Sequence, residues 1–244
     1  MALFIDNAWF CGGSIISENY VMTAAHCADG ASYFDIMAGA HNVRASSEPH
    51  RVEITSYNGW THPGWNHNTL ENDIALIELP SPMSFNEYIK PSCMPMAGDT
   101  ADVNEMVTCT GWGKPSDSAG GISPVLRMVE DRPIISNSEC NAIYGNVKHV
   151  LTIVMLMFCD SGIVGDGVVC IDTTGGKGTC NGDSGGPLNM KYDVKSGASG
   201  DKWKQVGVVS FGASAGCEVG YPAGFTRTEY YLDWICSETN GVGC

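Results

Sequence analysis

The chain has 244 residues, of which 43% are hydrophobic and 30 are glycine, and this composition fits a globular protein with a substantial core and excludes a disordered chain. Thirteen lysines and arginines stand against 27 aspartates and glutamates, which gives a formal net charge of −14. This balance offers no basic patch for a phosphate backbone, so no nucleic-acid partner is expected.

Short apolar or alternating runs recur between turn signals, and they predict antiparallel strands in barrels or sandwiches rather than β-α-β units. In chain order they are ALFID, SIISENYVMTA, FDIMAGA, HRVEITSY, DIALIELP, EMVTCTGWG, VLRMVEDRPI, VVCID, KQVGVVSFG and AGFTRT. Only the terminal stretch TEYYLDWICSE has a helical pattern, in which Tyr231, Trp234 and Ile235 share one face and are predicted to pack in the core. The predicted fold class is therefore all-β with a C-terminal helix.

One segment differs from the rest of the chain, because residues 146–162 contain the unbroken apolar run VLTIVMLMFC from Val150 to Cys159. A run of ten residues is too short to cross a bilayer, so no membrane anchor is expected. Its hydrophobicity and its lack of turn residues also suit a surface loop poorly.

The 11 cysteines include no C-x-x-C pair and no cluster of His and Cys ligands, which favours disulfides over a zinc site. Disulfides indicate an oxidising, secretory environment. Because the count is odd, at least one thiol is free or intermolecular, unless the sequence carries an error. The opening MALFIDNAWF lacks the basic region and the cleavage site of a signal peptide, so we expect that an export sequence was removed or that the start is truncated.

Three short stretches carry candidate catalytic groups: TAAHC contains His26, ENDIALIEL places Asp73 before an apolar strand, and GDSGGP places Ser184 in a glycine-lined turn. The order His, Asp, Ser is one of the known chain orders of an acyl-transfer triad. A serine hydroxyl needs a base within hydrogen-bonding reach, and a histidine oriented by a carboxylate supplies that base. Each residue alone has an ordinary structural explanation, but TAAHC, DIAL, GWG and GDSGGP in this order favour the triad.

On these four motifs the chain resembles the chymotrypsin family of serine endopeptidases. The resemblance implies two six-stranded antiparallel β-barrels with the active site in the cleft between them. The first barrel would be residues 1–100 with His26 and Asp73, the second residues 101–228 with Ser184, and residues 229–244 the C-terminal helix.

The resemblance also assigns a role to each residue of the mechanism. His26 would act as the general base, Asp73 would hold the imidazole tautomer, and Ser184 would attack the scissile carbonyl. The backbone N–H groups of Gly182 and Ser184 would form the oxyanion hole, in a turn that side chains would obstruct. This mechanism requires no cofactor or metal, and the absence of an H-E-x-x-H motif or an equivalent ligand set excludes a zinc hydrolase.

Three disulfides are implied by the family. They are Cys11–Cys27, Cys140–Cys170 and Cys180–Cys217. The resemblance leaves five cysteines unassigned, namely Cys93, Cys109, Cys159, Cys236 and Cys244.

The stretch SFGASAGC resembles the substrate-binding strand of the family, in which Ser210 supports the triad aspartate while Phe211 and Gly212 pair with the peptide backbone. The position where trypsin-like enzymes carry an acid is Gly178, so we expect no strong preference for Lys or Arg.

At a finer level, ALFID, GAHN, SDSAGGIS, IDTTGGKGTCNGDSGGPLN and GCEVGYPAGFTR resemble the crustacean brachyurins, broad-specificity digestive proteases that include collagenases. Brachyurins typically carry an aspartate where this chain has Ala223. The loss of that acid predicts a chymotrypsin-like preference for Phe, Tyr, Leu or Met and does not favour collagen cleavage. The resemblance implies a secreted monomer, in the gut lumen, that acts on protein or peptide substrates and is open to protein inhibitors.

Calcium is the one metal that the resemblance leaves open. Family members that bind calcium use acids in the loop after the strand FDIMAGA, and ASSEPHRVE offers only Glu48 and Glu53. The sequence therefore gives calcium no positive support.

Two departures from the family bear on activity. Relatives free an Ile-Val-Gly-Gly terminus whose ammonium pairs with the aspartate before the serine, here Asp183, whereas this chain starts with MALFID inside the first strand. A buried carboxylate without its cation is penalised by about 3–5 kcal/mol, so Asp183 is the predicted activation switch, and a catalytically inactive or zymogen-like homologue is the alternative function.

The second departure is residues 146–162, since relatives run almost directly from a Tyr-Gly pair like Tyr144 and Gly145 into an Ile-Val pair like Ile163 and Val164. Two explanations stay open. The segment is either an untranslated intervening sequence wrongly retained in the gene model, or a genuine insertion that packs on the second barrel or on a partner.

Overall fold

The structure is a computed structural model that describes residues 1–144, 164–192 and 202–244. The predicted insertion at 146–162, including Cys159, lies outside the described residues. No helix within these three ranges has the length and the apolar character needed to span a bilayer.

Strands dominate both halves of the described chain. Those of the first half are β1 Ala2–Ile5, β2 Trp9–Gly12, β3 Ser14–Ile15, β4 Tyr20–Thr23, β5 Phe34–Ala38, β6 Val52–Ser56, β7 Asn58–Thr61 and β8 Ala75–Glu78. Those of the second half are β9 Met106–Gly111, β10 Arg127–Ile135, β11 Val168–Ile171, β12 Pro187–Tyr192, β13 Lys202–Phe211 and β14 Ala223–Arg227. The helices are α1 Ala25–Ala28, α2 Asn137–Tyr144 and α3 Leu232–Glu238, the last preceded by a 3₁₀ turn Thr228–Tyr231.

The strands of the first half form two four-stranded antiparallel sheets, in the orders β2-β1-β5-β6 and β3-β4-β8-β7. The sheets share two bent strands, because β2 passes through Gly13 into β3 and β6 passes through Tyr57 into β7. Strands that switch sheets at bends are the usual corners of orthogonally packed β structures. The two sheets therefore enclose one core as a six-stranded barrel, in agreement with the prediction.

Glycine permits one of these corners. A Cβ atom at Gly13 would lie 3.1 Å from the side chain of Leu3 and 3.3 Å from the carbonyl oxygen of Met22. The barrel interior inside the corner is filled by apolar side chains that are almost fully buried, among them Leu3, Met22, Phe34, Ile36, Leu76 and Ile77.

The second half is a closed six-stranded barrel with the strand order β10-β11-β14-β13-β12-β9. All of its pairings are antiparallel. Its core holds the side chains of Val107, Ile134, Val169, Ile171, Leu188, Val206 and Phe225. The predicted boundary near residue 100 falls in the connection between β8 and β9.

The C-terminal helix packs back onto the first barrel. Tyr231 and Ile235 belong to the core cluster of that barrel, and Trp234 packs against it. The Tyr231 hydroxyl donates a hydrogen bond to the side-chain oxygen of Asn72 at 3.1 Å. The α-helix spans only Leu232–Glu238, so it is shorter than the predicted helical segment. Through Tyr231, the 3₁₀ turn before it supports the loop that carries Asn72 and the neighbouring Asp73.

Candidate active site

His26 lies in the single turn of α1, directly after the buried strand β4. Its neighbours Ala25 and Cys27 are buried, and the disulfide Cys11–Cys27 ties this turn to β2. The imidazole side chain keeps 26% of its surface exposed. The backbone is thereby anchored while the ring remains accessible from the cleft.

Asp73 lies at the head of β8 and is only 1% exposed. Its Oδ2 atom is 2.8 Å from Nδ1 of His26, and its Oδ1 atom accepts a hydrogen bond from the backbone N–H of His26 at 2.9 Å. An ionised carboxylate can only accept hydrogen bonds, so this contact places the imidazole proton on Nδ1 and leaves Nε2 as the acceptor.

The second barrel completes the surroundings of Asp73. The Ser210 hydroxyl donates to Oδ2 of Asp73 at 2.6 Å, and the Thr226 hydroxyl donates to the Asp73 carbonyl at 2.6 Å. Ser210 was predicted to support this aspartate, but Thr226 was not. Nothing in the sequence around Thr226 signals a hydrogen bond to the main chain of a residue so far away.

Ser184 stands in a loop that is joined to both barrels. Its carbonyl accepts a hydrogen bond from Gly12 of β2 at 2.7 Å, and the next N–H, from Gly185, donates to Val209 of β13 at 2.8 Å. Gly185 has a φ of 77°, and a Cβ atom there would lie 2.1 Å from the Thr23 hydroxyl oxygen. This position therefore requires glycine on conformational and on steric grounds.

Ser184 and His26 border the same cavity of about 450 Å³, on the side of the cleft formed by Trp9 and Phe10. The other predicted member of the oxyanion hole, Gly182, has a φ of 101°. Within the described chain, no hydrogen bond uses the N–H of Gly182 or of Ser184, so these two donors are available to a ligand.

A second cavity of about 210 Å³ opens on the other side of Ser184. It brings together five of the predicted catalytic and substrate-binding residues, namely Ser184, Ser210, Phe211, Gly212 and Ala223, and the predicted disulfide partners Cys180 and Cys217. Thr173 and Tyr221 also line it, and the Thr173 hydroxyl donates to the Tyr221 carbonyl at 2.6 Å. None of the described residues that line this cavity carries a carboxylate, an ammonium or a guanidinium group.

Gly178 does not line this cavity. It borders a neighbouring cavity of about 150 Å³ that contains Asp183. A Cβ atom at Gly178 would lie 2.7 Å from the side chain of Thr173, which places Thr173 between Gly178 and the substrate-pocket space. Thr173 therefore lines the cavity beside Ser184 where Gly178 was expected to, and position 178 alone did not identify it.

Asp183 turns away from Ser184 toward the GWG motif. Its two carboxylate oxygens accept hydrogen bonds from the backbone N–H groups of Gly113 at 2.8 Å and Cys180 at 2.9 Å. Removal from water raises the pKa of Asp183, while these two bonds oppose the shift. Cβ atoms at Gly111 and Gly113 would lie 2.0 Å and 2.3 Å from the carboxylate oxygens, so both glycines of GWG make room for this acid.

The three predicted disulfides are present. A fourth bond, Cys236–Cys244, joins two of the cysteines that were unassigned. Of the other described cysteines, Cys93 is exposed and Cys109 is buried, and both are free thiols. Burial raises the pKa of the Cys109 thiol far above its usual range, which makes this thiol unreactive.

Neither of two candidate metal sites among the described residues fits an ion. Among the described residues, the one group of potential ligands is Asp117 with Cys180 and Cys217, but the two sulfur atoms are joined in a disulfide and cannot bind as thiolates.

The acids of the loop after β5 face an arginine instead. The Arg51 guanidinium donates to the carbonyls of Ala45 at 2.8 Å and Ser46 at 2.9 Å, and it pairs with Glu53 at 3.0 Å and, more weakly, with Glu48 at 3.9 Å. The Glu48 carboxylate already accepts from the backbone N–H groups of His41 and Asn42, and the carbonyls of Ala45 and Ser46 already accept from this buried guanidinium. The loop therefore does not fit calcium.

Comparison with known proteins agrees with this geometry. The family model described as Trypsin matches residues 1–235. The chain is 48% identical over 238 residues to the Brachyurin of Leptuca pugilator, covering 98% of this chain and 91% of that protein. It is 35% identical over 234 residues to the Chymotrypsin-C of Rattus norvegicus, with coverages of 94% and 79%. A solved structure titled HL collagenase superposes with a TM-score of 0.78 at 28% identity and covers 98% of this chain and 92% of its own.

Proposed function

The chain belongs to the trypsin family and is a serine endopeptidase; from that premise we propose that it cleaves peptide bonds after large apolar or aromatic side chains, through an acyl-enzyme on Ser184. The observation that carries the specificity is the cavity beside Ser184, in which no described lining residue is charged. A neutral pocket cannot offset the desolvation of an Arg or Lys side chain, whereas it gains from the burial of an apolar one.

In the proposed mechanism Ser184 is the nucleophile and His26 is the general base. The hydrogen bond between Nδ1 of His26 and Asp73 leaves Nε2 free to take the serine proton and later to give it to the leaving amine. The hydroxyl of Ser210 and the backbone N–H of His26 keep the Asp73 carboxylate in place. The negative charge of Asp73 then stabilises the imidazolium that forms.

The oxyanion is proposed to bind the N–H groups of Gly182 and Ser184. This role is supported by the absence of any internal acceptor for these two N–H groups in the described residues. Loss of one such donor in an acyl-transfer site costs about 3 kcal/mol of transition-state stabilisation. The segment Phe211–Gly212 is proposed to pair with the backbone of the substrate, because it lies on the rim of the pocket.

The specificity is tested with matched peptide amides that differ only in a Phe or an Arg before the scissile bond. We expect a kcat/KM for the Phe amide at least tenfold higher, since about 1.4 kcal/mol of differential binding gives that factor. The variant Ala223→Asp provides the control, because an acid at this buried pocket position should raise Arg cleavage relative to Phe cleavage. Equal or faster Arg cleavage by the unaltered chain would overturn the proposal.

The inactive alternative has no support from the relatives, whose names are those of proteases. A serine-directed fluorophosphonate decides between the two functions. Covalent labelling of the unaltered chain, with none in Ser184→Ala, is expected of the active enzyme. Failure to label the folded protein would favour the inactive homologue.

We further propose a secreted enzyme of digestion, acting as a monomer on protein substrates and open to protein inhibitors. The four disulfides support an oxidising compartment, and the net charge of −14 supports solubility in a lumen. Detection of the protein in gut fluid, rather than in cell extract, tests the compartment. Sedimentation of the purified protein tests the monomer.

A further inference from the structure

The segment 113–118 contacts the active-site loops at successive residues. The N–H of Gly113 donates to the Asp183 carboxylate at 2.8 Å, and the N–H of Lys114 donates to the Asn181 carbonyl at 2.9 Å. The segment thus runs alongside the loop of Ser184. Three residues further on, the side chain of Asp117 reaches Cys217, which lines the cavity beside Ser184.

Asp117 and Glu218 bind each other's backbone. The two carboxylate oxygens of Asp117 accept hydrogen bonds from the N–H groups of Cys217 at 2.7 Å and Glu218 at 3.2 Å. In return, the carboxylate of Glu218 accepts one from the N–H of Asp117 at 2.8 Å. Two adjacent carboxylates repel each other, so their approach depends on these backbone donors. We call the two residues the acid pair.

The acid pair holds a wall of the substrate pocket. Gly216 and Cys217 line the pocket, and a Cβ atom at Gly216 would lie 2.5 Å from the Asp117 carboxylate. Gly216 also has a φ of 134°, a conformation that other residues rarely adopt. The glycine therefore permits the close approach of Asp117 to the wall.

The same wall is also fixed covalently, because the side chain of Cys217 is bonded to Cys180 of the serine loop. The wall is consequently held to the serine loop by the disulfide and to segment 113–118 by the acid pair. Neither carboxylate lines the pocket itself, so an effect on substrate would be exerted through the wall.

We propose that Asp117 and Glu218 are positioning residues that set the shape of the substrate pocket, by fixing Cys217 and its neighbours against segment 113–118. This inference rests on the proposed function only in taking the 210 Å³ cavity as the substrate pocket. Loss of the acid pair leaves Ser184, His26 and Asp73 in place. It loosens the pocket wall and weakens the binding of any group that fills the pocket.

The test uses Asp117→Ala, Glu218→Ala and the double variant in the full chain. Glu130→Ala is the matched control, because Glu130 is an exposed acid on β10 away from the pocket. We expect KM for the Phe amide to rise about tenfold in Glu218→Ala, which loses one charge-assisted hydrogen bond, and more in Asp117→Ala, which loses two, with kcat within about twofold. The rise in KM in the double variant should equal the larger of the two single-variant rises, because the two residues act as one unit.

Two readouts separate positioning from general destabilisation. The rate of labelling of Ser184 by a small fluorophosphonate, which does not fill the pocket, should be unchanged in all four variants. The dissociation constant of indole, measured by calorimetry, should rise in parallel with KM and needs no catalysis. An unchanged dissociation constant in the single variants would overturn the proposal, and so would equal losses in labelling and in binding. If the unaltered chain is not labelled, the catalytic proposal fails, while the indole measurement still decides the role of the acid pair.

Discussion

Two acids near Ser184 are shielded from water, Asp73 almost completely and Asp183 in part, and they differ in the groups that donate hydrogen bonds to them. The carboxylate of Asp73 accepts from the ring and the backbone of His26 and from the hydroxyl of Ser210. The carboxylate of Asp183 accepts from only two backbone N–H groups, those of Gly113 and Cys180. Burial raises the pKa of Asp183, because two neutral donors do not fully replace water around a charge.

The two acids differ in which parts of the fold supply their hydrogen-bond donors. Asp73 collects donors from both barrels, since His26 belongs to the first and Ser210 to the second. Asp183 depends on one barrel and on its own loop. The hydrogen bonds of Asp73 therefore depend on how the two barrels dock, whereas those of Asp183 depend on the packing of the GWG turn. Four substitutions test this contrast.

The largest effect is expected for Asp73→Asn. The amide would donate to Nδ1 and stabilise the wrong imidazole tautomer, so we expect kcat to fall about 10⁴-fold with little change in KM. Steady-state kinetics on the Phe amide measure both constants, and a thermal scan checks that the variant is folded. A loss below tenfold would contradict the role of Asp73.

Ser210→Ala removes the donor that the second barrel contributes to the Asp73 carboxylate. We expect kcat to fall about tenfold, in keeping with the loss of a hydrogen bond to a charged group. Thr226→Val is the comparison, because its hydroxyl reaches only the Asp73 carbonyl, so it should lower stability more than kcat. A kcat of Ser210→Ala within about twofold of the wild type would show that the carboxylate needs no donor from the second barrel.

Asp183→Asn tests the other acid through pH. Since the folded-state pKa of Asp183 is raised above its ordinary value of 3.8, the folded chain holds this proton more tightly than the unfolded chain does. The wild-type protein therefore loses stability as pH rises through the unfolded pKa up to the folded one.

The asparagine variant lacks this loss. The Tm of the variant minus that of the wild type should therefore increase by a few degrees from acidic to neutral pH. The altered hydrogen bonds add a change in Tm that does not depend on pH. Thermal unfolding between about pH 3 and about pH 7, a range that begins near the ordinary pKa of an aspartate, measures the trend. A difference that does not vary with pH would contradict the desolvation of Asp183.

The smallest effect is expected for Tyr231→Phe, which removes the hydroxyl that supports Asn72 beside Asp73. Unfolding free energy should fall by about 1 kcal/mol, the usual worth of one hydrogen bond. The change in kcat should stay within about twofold because the Asp73 carboxylate keeps its own donors. Tyr230→Phe is the control, since Tyr230 is 58% exposed and should alter neither quantity.

Much of the fold was predictable because its signals are local. In FDIMA burial alternates along the strand, with the apolar Phe34, Ile36 and Ala38 inside the first barrel and Asp35 and Met37 on the other face. The helical pattern at the C-terminus correctly identified Tyr231 and Ile235 as core residues. The 3₁₀ turn that delays the helix was not predicted, because sequence spacing does not distinguish it from the first turn of an α-helix.

Site residues were predictable where one short motif contains both the functional residue and the residues that shape the backbone around it. GDSGGP specifies the glycine turn around Ser184, and the family resemblance identified Ser210. Gly178 and Thr173 show the limit of that approach. Thr173, and not Gly178, borders the cavity beside Ser184. The position of Thr173 depends on how two loops pack, and no short motif encodes that packing.

By itself the sequence indicated the strand pattern, the glycine turn of GDSGGP, and His26, Asp73 and Ser184 as the candidate triad. Each of these depends on residue type and short spacing, which act within one turn or one strand. Only the tertiary structure decided how the acids are satisfied, since the hydrogen bonds that hold Asp73 span 47 to 153 residues and those of Asp117 span 100 or 101. Such contacts form only when complete barrels and loops have packed, because packing places distant backbone donors within 3 Å or so of a carboxylate.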